Sequence, residues 1–224
     1  MPEAMQADLD SYGYAILPGC VPPADCAGLA ALYDRPLFRS HIHMAPHGFG
    51  RGEYKYFSYP LPDPVAGLRD RLYPQLVPIA NLWQARMGLE TRFPPDHETF
   101  LARCHAAGQR RPTLLLLRYG PEDYNCLHQD LYGEHVFPLQ AAVLLSRPQA
   151  DFTGGEFVLT EQRPRMQSRA EVVPLQQGDA VVFAVHHRPV MGTRGSYRVN
   201  MRHGVSRVRS GQRHVLGIIF HDAA

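Results

Sequence analysis

The sequence predicts an α+β protein in which a mostly helical first half supports a β-sandwich or jelly roll. Three observations carry this. Residues 1–111 contain long segments with apolar residues at helical spacing. After Pro112 the chain breaks into seven short β-rich runs separated by turn residues. A length of 224 residues with 45 % hydrophobic content suits one core, so residues 1–224 are read as a single domain, with 1–111 as helical support and lid and 112–224 as the jelly-roll core.

Taken in order, residues 4–17 open with a short helical pattern that passes into a strand, Tyr12 to Leu17, bounded by Pro18-Gly19. Pro22-Pro23-Ala24-Asp25 starts a helix carrying Leu29, Leu32 and Tyr33 on one face. From Arg39 to Pro62 the chain is rich in His, Gly, Tyr and Pro, which reads as an ordered loop or lid whose Phe49, Tyr54, Tyr56 and Tyr59 are available to stack on a substrate. His41, His43 and His47 in this stretch suggest a metal site, but Glu53 is the only carboxylate nearby and the lid reading is preferred. Pro64 to Met87 has Val65, Leu68, Leu72, Leu76, Ile79, Leu82 and Trp83 at helical spacing, with Gly88 as a stop. Pro94-Pro95-Asp96 begins another helix, which carries Phe100 and Leu101 and ends by Gly108. The β-rich runs are Thr113–Tyr119, Leu139–Leu145, Phe152–Leu159, Glu171–Leu175, Ala180–Val185, Tyr197–Ser206 and Arg213–Phe220. Gly154-Gly155 falls at a strand start, Gln176–Asp179 forms a turn, and Ser210-Gly211 reads as a hairpin turn.

The formal net charge of +2 conceals an asymmetry, because ten arginines lie between Arg163 and Arg213 against only Glu171 and Asp179. Such a run can neutralise nucleic-acid phosphates. It can equally be ordinary surface, since Lys55 is the only lysine and arginine fills nearly every cationic position. Cys20, Cys26, Cys104 and Cys126 are scattered without zinc-type pairing and read as reduced thiols. No apolar run approaches the roughly 18 residues needed to cross a bilayer, and acids stand where a secretion signal would be basic. The protein is therefore expected in the cytoplasm.

The chemistry centres on Arg118 to Asp130, which follows the apolar run Leu114–Leu117 and ends in His128-Gln129-Asp130. An imidazole and a carboxylate two residues apart can hold two adjacent positions around a metal. With a second His they complete the two-His-one-carboxylate set of non-haem Fe(II) oxygenases. One His-x-Asp triplet is close to the chance expectation of about 0.6 for this composition, so the partners decide. Two histidines compete. His203 precedes a Ser-Gly turn that would lay Arg213 alongside it, placing a guanidinium for a carboxylate near the metal. His187 follows an apolar strand directly, with Arg198 downstream. The turn chemistry favours His203. Arg213 also opens an apolar strand, where a buried cation needs an anionic partner.

Tyr119-Gly120-Pro121, His128-Gln129-Asp130, Gly154-Gly155-Glu156-Phe157, Gly178-Asp179 with the run Ala180–Phe183, His203 and Arg213 together resemble the Fe(II)/2-oxoglutarate-dependent dioxygenase superfamily. The likeness spans Thr113 to the C-terminus. Arg118-Tyr119 with Leu127-His128-Gln129-Asp130 is similar to the AlkB branch, which repairs alkylated bases, whereas Phe152-x-Gly-Gly-Glu-Phe looks like the prolyl-hydroxylase branch. The chain departs from the AlkB pattern at Leu117, where that branch has Asn, and at Ile219, where it has a second Arg.

The resemblance implies a double-stranded β-helix fold with helices on one side. It implies His128, Asp130 and His203 as iron ligands, Arg213 as partner of the 2-oxoglutarate C5 carboxylate and Tyr119 as a hydroxyl donor to that cosubstrate. The expected cofactors are thus Fe(II), 2-oxoglutarate and O₂. The expected activity is hydroxylation of a substrate C–H with release of succinate and CO₂. AlkB-like demethylation of alkylated bases in single-stranded or damaged nucleic acid, and so DNA repair, is the favoured form. A protein or small-molecule hydroxylase and a non-catalytic jelly-roll binding module are the alternatives.

Overall fold

The computed structural model describes residues 2–193 and 195–224. Helix α1 (Pro2–Tyr12) leads into strand β1 (Tyr14–Leu17), and α2 (Pro23–Ala31) ends in a single 3₁₀ turn, Leu32–Asp34. Strands β2 (Phe38–His43), β3 (Gly50–Arg51) and β4 (Glu53–Phe57) follow, then α3 (Asp63–Arg86) and α4 (His97–Ala106). The β-rich half comprises β5 (Leu115–Tyr119), β6 (Tyr124–His128), β7 (Leu139–Leu144), β8 (Phe152–Gly154), β9 (Phe157–Gln162), β10 (Arg169–Val173) and β11 (Ala180–Ala184). It closes with β12 (His187–Gly192), β13 (Gly195–Val205), β14 (Val208–Gly211) and β15 (Arg213–Ile218).

A seven-stranded sheet runs in the order β1-β11-β7-β15-β5-β4-β2, and a second runs β10-β9-β13-β6-β3 with β12 added beside β13. The named strand pairs are antiparallel. The central strands of the larger sheet are buried on both faces, which is why they read as continuous apolar runs. Alternate residues serve different layers. Leu139, Ala141 and Val143 of β7, with Ala180, Val182 and Ala184 of β11, join Leu68, Leu72, Leu76 and Trp83 of α3 in one cluster. Ala142, Leu144, Val181 and Phe183 face the other way and meet Phe157, Leu159 and Val205 of the second sheet. The two layers expected from the sequence are present, with the helices on one side.

Three expectations are corrected. Residues 39–62 are not principally a lid, because β2 and β4 pair as a hairpin and extend the larger sheet through β5. Their alternation of aromatic and polar residues is that of an edge hairpin with one buried face. Phe152–Leu159 is two strands, broken where Gly154 and Gly155 take φ of 69° and 63°. Ser210-Gly211 does not fold β13 back on β15, since β14 pairs with β8 and β15 crosses to the larger sheet between β5 and β7.

Arg188 is a buried tie between layers. Its guanidinium contacts Glu161 of β9 and donates to the Asp10 carbonyl at 2.8 Å, with both side chains at most 5 % exposed. At the C-terminal end, Phe137 N–H donates to His221 Nδ1 at 3.2 Å, a bond that only a neutral imidazole can accept. Burial pushes the His221 pKa down to about 4.

Glu161→Ala should destabilise the fold by about 3 kcal/mol by leaving the Arg188 cation buried without its carboxylate. The check is the shift in urea midpoint against wild type. His221 is harder to protonate folded than unfolded, so stability should be complete above about pH 6.5 and decline as pH falls toward 4. His221→Gln should flatten that decline, and an unchanged profile would assign it to another group.

Candidate active site

Strands β6 and β13 are neighbours, and the register places His203 directly opposite His128. The ladder is irregular just beyond, between His203 and Val205, where Gly204 lets the strands close up: a Cβ there would stand 2.7 Å from the Asn125 carbonyl. Asp130 follows the end of β6. His128 Nε2 lies 3.5 Å from Asp130 Oδ1, and His203 Nε2 lies 3.3 Å from Oδ2. One donor atom from each of the three residues lies within 4.8 Å of the others.

The protonation pattern suits a metal. His128 Nδ1 is 2.7 Å from the Cys126 carbonyl, which can only accept, so Nδ1 carries a proton and Nε2 is the atom turned toward the centre. Burial lowers the His203 pKa, and His128 adds to the effect. Burial alone would raise the Asp130 carboxyl, but its hydrogen bond with His203, the two imidazoles and Gln140 together hold it well below the usual carboxylate range. Two neutral imidazoles and one carboxylate are the forms that ligate.

Asp130 is gripped from behind. Tyr132 Oη donates to Oδ1 at 2.8 Å, Tyr56 Oη donates to Tyr132 Oη at 3.0 Å, and Gln140 Nε2 donates to Oδ2 at 2.9 Å. The loop that carries Tyr132 is itself pinned by the buried amide of Gln109, which donates to the Tyr132 carbonyl and accepts from His135 N–H.

Arg213 enters from the opposite sheet, at the start of β15 beside Tyr119 of β5. It is 2 % exposed, its Nε and Nη1 have no hydrogen-bond partner among the described residues, and its guanidinium lies 5.6 Å and 5.8 Å from the Tyr119 and Phe152 ring centres. Burial lowers its pKa to about 10, so it stays charged near neutrality. A buried cation with free donors is costly unless an anion completes it. Burial also raises the Tyr119 phenol, which keeps it a hydroxyl, 3.4 Å from Asn125 Nδ2.

These groups line one cavity of about 330 Å³, walled further by Leu115, Leu117, Ala142, Phe157, Phe183 and Val215. At its mouth stand Phe49, Leu127 and Cys126. The structure thus brings His128, Asp130, His203, Arg213 and Tyr119 together. Arg213 faces the triad across the cavity instead of lying beside it. His187, at the start of β12, stays outside, opposite Asn200 of β13. Sequence reasoning passed over Gln140 and Tyr132. Gln140 had a usable signal, a lone amide inside the apolar run Leu139–Leu145.

Residues 52–223 match the Oxygenase-NA family, described as an oxygenase catalysing oxidative methylation of damaged DNA. An uncharacterized protein found in two strains of Mycobacterium tuberculosis is 52% identical over 168 residues, which is 75% of this chain and 72% of the relative. The fold is similar to a Pseudomonas putida prolyl-4-hydroxylase, at TM-score 0.56 and 14% identity over 100% of both chains. It is also similar to a Burkholderia pseudomallei oxidoreductase of the 2OG-Fe(II) oxygenase family, at TM-score 0.53 and 17% identity, covering 100% of this chain and 93% of the other. A Trichoplax adhaerens prolyl hydroxylase solved with a peptide of hypoxia inducible factor gives TM-score 0.61 and 12% identity over 97% and 87% of the two chains.

Arg213→Met replaces an unpaired buried cation by a neutral chain. It should stabilise the ligand-free protein by about 1 kcal/mol or more, read as a higher urea midpoint in chelator. A lower midpoint would mean that the guanidinium contributes packing that outweighs its desolvation.

Proposed function

The chain belongs to the Oxygenase-NA family, on the fold of the Fe(II)/2-oxoglutarate oxygenases, and is accordingly an oxidoreductase; we propose that it removes alkyl groups from nucleic-acid bases by oxidising them. His128 and His203 would hold Fe(II) through Nε2 and Asp130 through a carboxylate oxygen, leaving the remaining positions for 2-oxoglutarate and O₂. When bound, that set supplies the oxidant that hydroxylates a substrate C–H, with succinate and CO₂ as co-products. The observation that carries the reading is Arg213. Its two partnerless nitrogens are what the far carboxylate of 2-oxoglutarate would engage, in the same cavity as the triad. Tyr119 would donate its hydroxyl to the same cosubstrate. Tyr132, Tyr56 and Gln140 would fix the orientation of Asp130 and keep it ionised. The apolar walls would exclude water from the reacting centre.

The family description supports a nucleic-acid substrate, and so does the rim. Phe49 and Leu127, which line the cavity, are 48% and 45% exposed, apolar surface suited to stacking on an unpaired base. Arg51, opposite Tyr124 in the β3–β6 pair, is an exposed cation nearby, 3.4 Å from the carboxylate of Asp123 that a phosphate would have to displace. The arginine-rich run divides: Arg188 and Arg213 are buried, and Arg163 and Arg207 pair with Glu161 and Glu122. Arg165, Arg169, Arg198, Arg202 and Arg209 are exposed, with Arg169 4.0 Å from Glu161 and Arg198 donating to the Met87 carbonyl, while Arg194 lies outside the described residues. On an N-methyl group the hydroxylated product would release formaldehyde.

Anaerobic addition of Fe(II) and 2-oxoglutarate should give a visible metal-to-ligand charge-transfer band in wild type and His187→Ala but not in His203→Ala. Arg213→Met should need at least about tenfold more 2-oxoglutarate for the same band. A wild type without the band overturns the assignment. Single-stranded DNA carrying an N-methylated base should then yield formaldehyde and succinate in equal amounts, with affinity that falls steeply as salt rises. Succinate formation without formaldehyde would redirect the search to other C–H substrates.

A further inference from the structure

A second set of converging donors lies on the outer side of the β2–β4 hairpin, away from the cavity. The register sets His43 opposite Glu53 and His41 opposite Lys55. His41 and His43 are two residues apart on one strand and so project from the same face. His41 Nε2 lies 2.5 Å from Glu53 Oε2, and His43 Nδ1 lies 3.8 Å from the same oxygen, with the imidazole centres 4.4 Å apart. The three donor atoms all fall within 4.8 Å of one another.

Two further features separate this group from a casual surface ion pair. Glu53 is anchored through its other oxygen, to which Arg118 donates from Nε at 2.9 Å and from Nη2 at 2.6 Å, so Oε2 is held toward the imidazoles, where His41 is its hydrogen-bond partner. Arg118 already meets the charge of Glu53, and Asp34 at 3.4 Å from Arg118 offsets that cation in turn. Ligands on one metal at about 2.1 Å can be no more than about 4.2 Å apart, which the His43–Glu53 separation satisfies, while the 2.5 Å His41–Glu53 contact is a hydrogen bond that a metal would open and replace. Exposure of the His41 and His43 side chains, 39% and 66%, leaves room for water in the remaining position.

We propose that His41, His43 and Glu53 form a second metal site, for Zn(II) or a similar borderline divalent cation completed by water. Two imidazoles and a carboxylate bind Zn(II) more strongly than Fe(II) in the general order of divalent affinities, and the same order holds for the His128–Asp130–His203 set, so Zn(II) fills both unless the cavity set is removed. The neighbouring cations are Arg118 and Lys55, whose Nζ is turned to the Tyr33 carbonyl and ring; they weaken the site without occupying it. Tyr33 Oη, 3.4 Å from His41 Nε2, is a further neighbour that metal binding would release. A metal here would tie β2 to β4, and those two strands launch the segment 44–52 that brings Phe49 to the cavity mouth.

The test is calorimetric titration of the tag-free full chain with Zn(II) alone. His128→Ala/Asp130→Ala, which removes the cavity site, should still bind one equivalent, and adding His43→Ala should weaken that binding at least tenfold while the far-ultraviolet dichroism in chelator stays unchanged. Wild type offers a route that does not depend on folding of the cavity variant: His43→Ala alone should lower the bound Zn(II) from two equivalents to one. Co(II) in the cavity variant should show visible absorption of a tetrahedral or five-coordinate centre, lost with His43→Ala. No Zn(II) bound by the folded cavity variant, or binding unaffected by His43→Ala, overturns the proposal.

Discussion

The structure depends on alternation along strands buried on both faces. In β7 and β11 one set of side chains packs against α3 and fixes the fold, while the residues between them face the cavity and the second sheet. Gln140 occupies a cavity-facing position of β7 between Leu139 and Ala141, both of which belong to the helix-facing core. A shift of one residue in the register would bury Leu139 in the polar centre and press the amide into the helices, so fold and site are specified by the same pairing.

Charge inside the cavity is arranged as two separated halves. Asp130 is ionised between two imidazoles and receives hydrogen bonds from Tyr132 and Gln140. Arg213 carries a positive charge against aromatic rings with donors unfilled. Neither half is at its energetic optimum in the protein alone, since three donors converge at one end and an unanswered cation waits at the other. Stability is withheld at both points in a manner that a cation and a dicarboxylate would restore.

Much of this was legible in the sequence. The helices of the first half were readable from apolar spacing and from their punctuation, including Asp96, whose side chain accepts from Thr99 N–H at 2.7 Å. His128 and Asp130 stood out by spacing, and His203 and Arg213 by their company. What was not legible depended on pairing between distant strands. The β2–β4 hairpin looked like a loop because its glycines and histidines mask a single buried face, so the approach of Glu53 to His43 was invisible. The placement of Arg213 was misread for the same reason: a Ser-Gly turn implies a hairpin locally, but β15 is drawn to the larger sheet by the apolar run Val215–Ile218, which pairs with both β5 and β7. Tyr132 escaped notice because its role is conferred by Gln109, which is remote in sequence and contacts it only in the folded chain.

The three convergent donor side chains, His128, Asp130 and His203, belong to the smaller sheet and its loop, whereas Arg213 and Tyr119 belong to the larger one. A single small molecule reaching from one group to the other would act as a cross-brace on the sandwich. Its two ends would hold the sheets at a fixed spacing, and motion of one layer against the other would strain a ligand anchored to both. Rigidity of the domain would then rise with ligand occupancy, so a loaded protein would resist proteolysis and hydrogen exchange along β13 and β15 together.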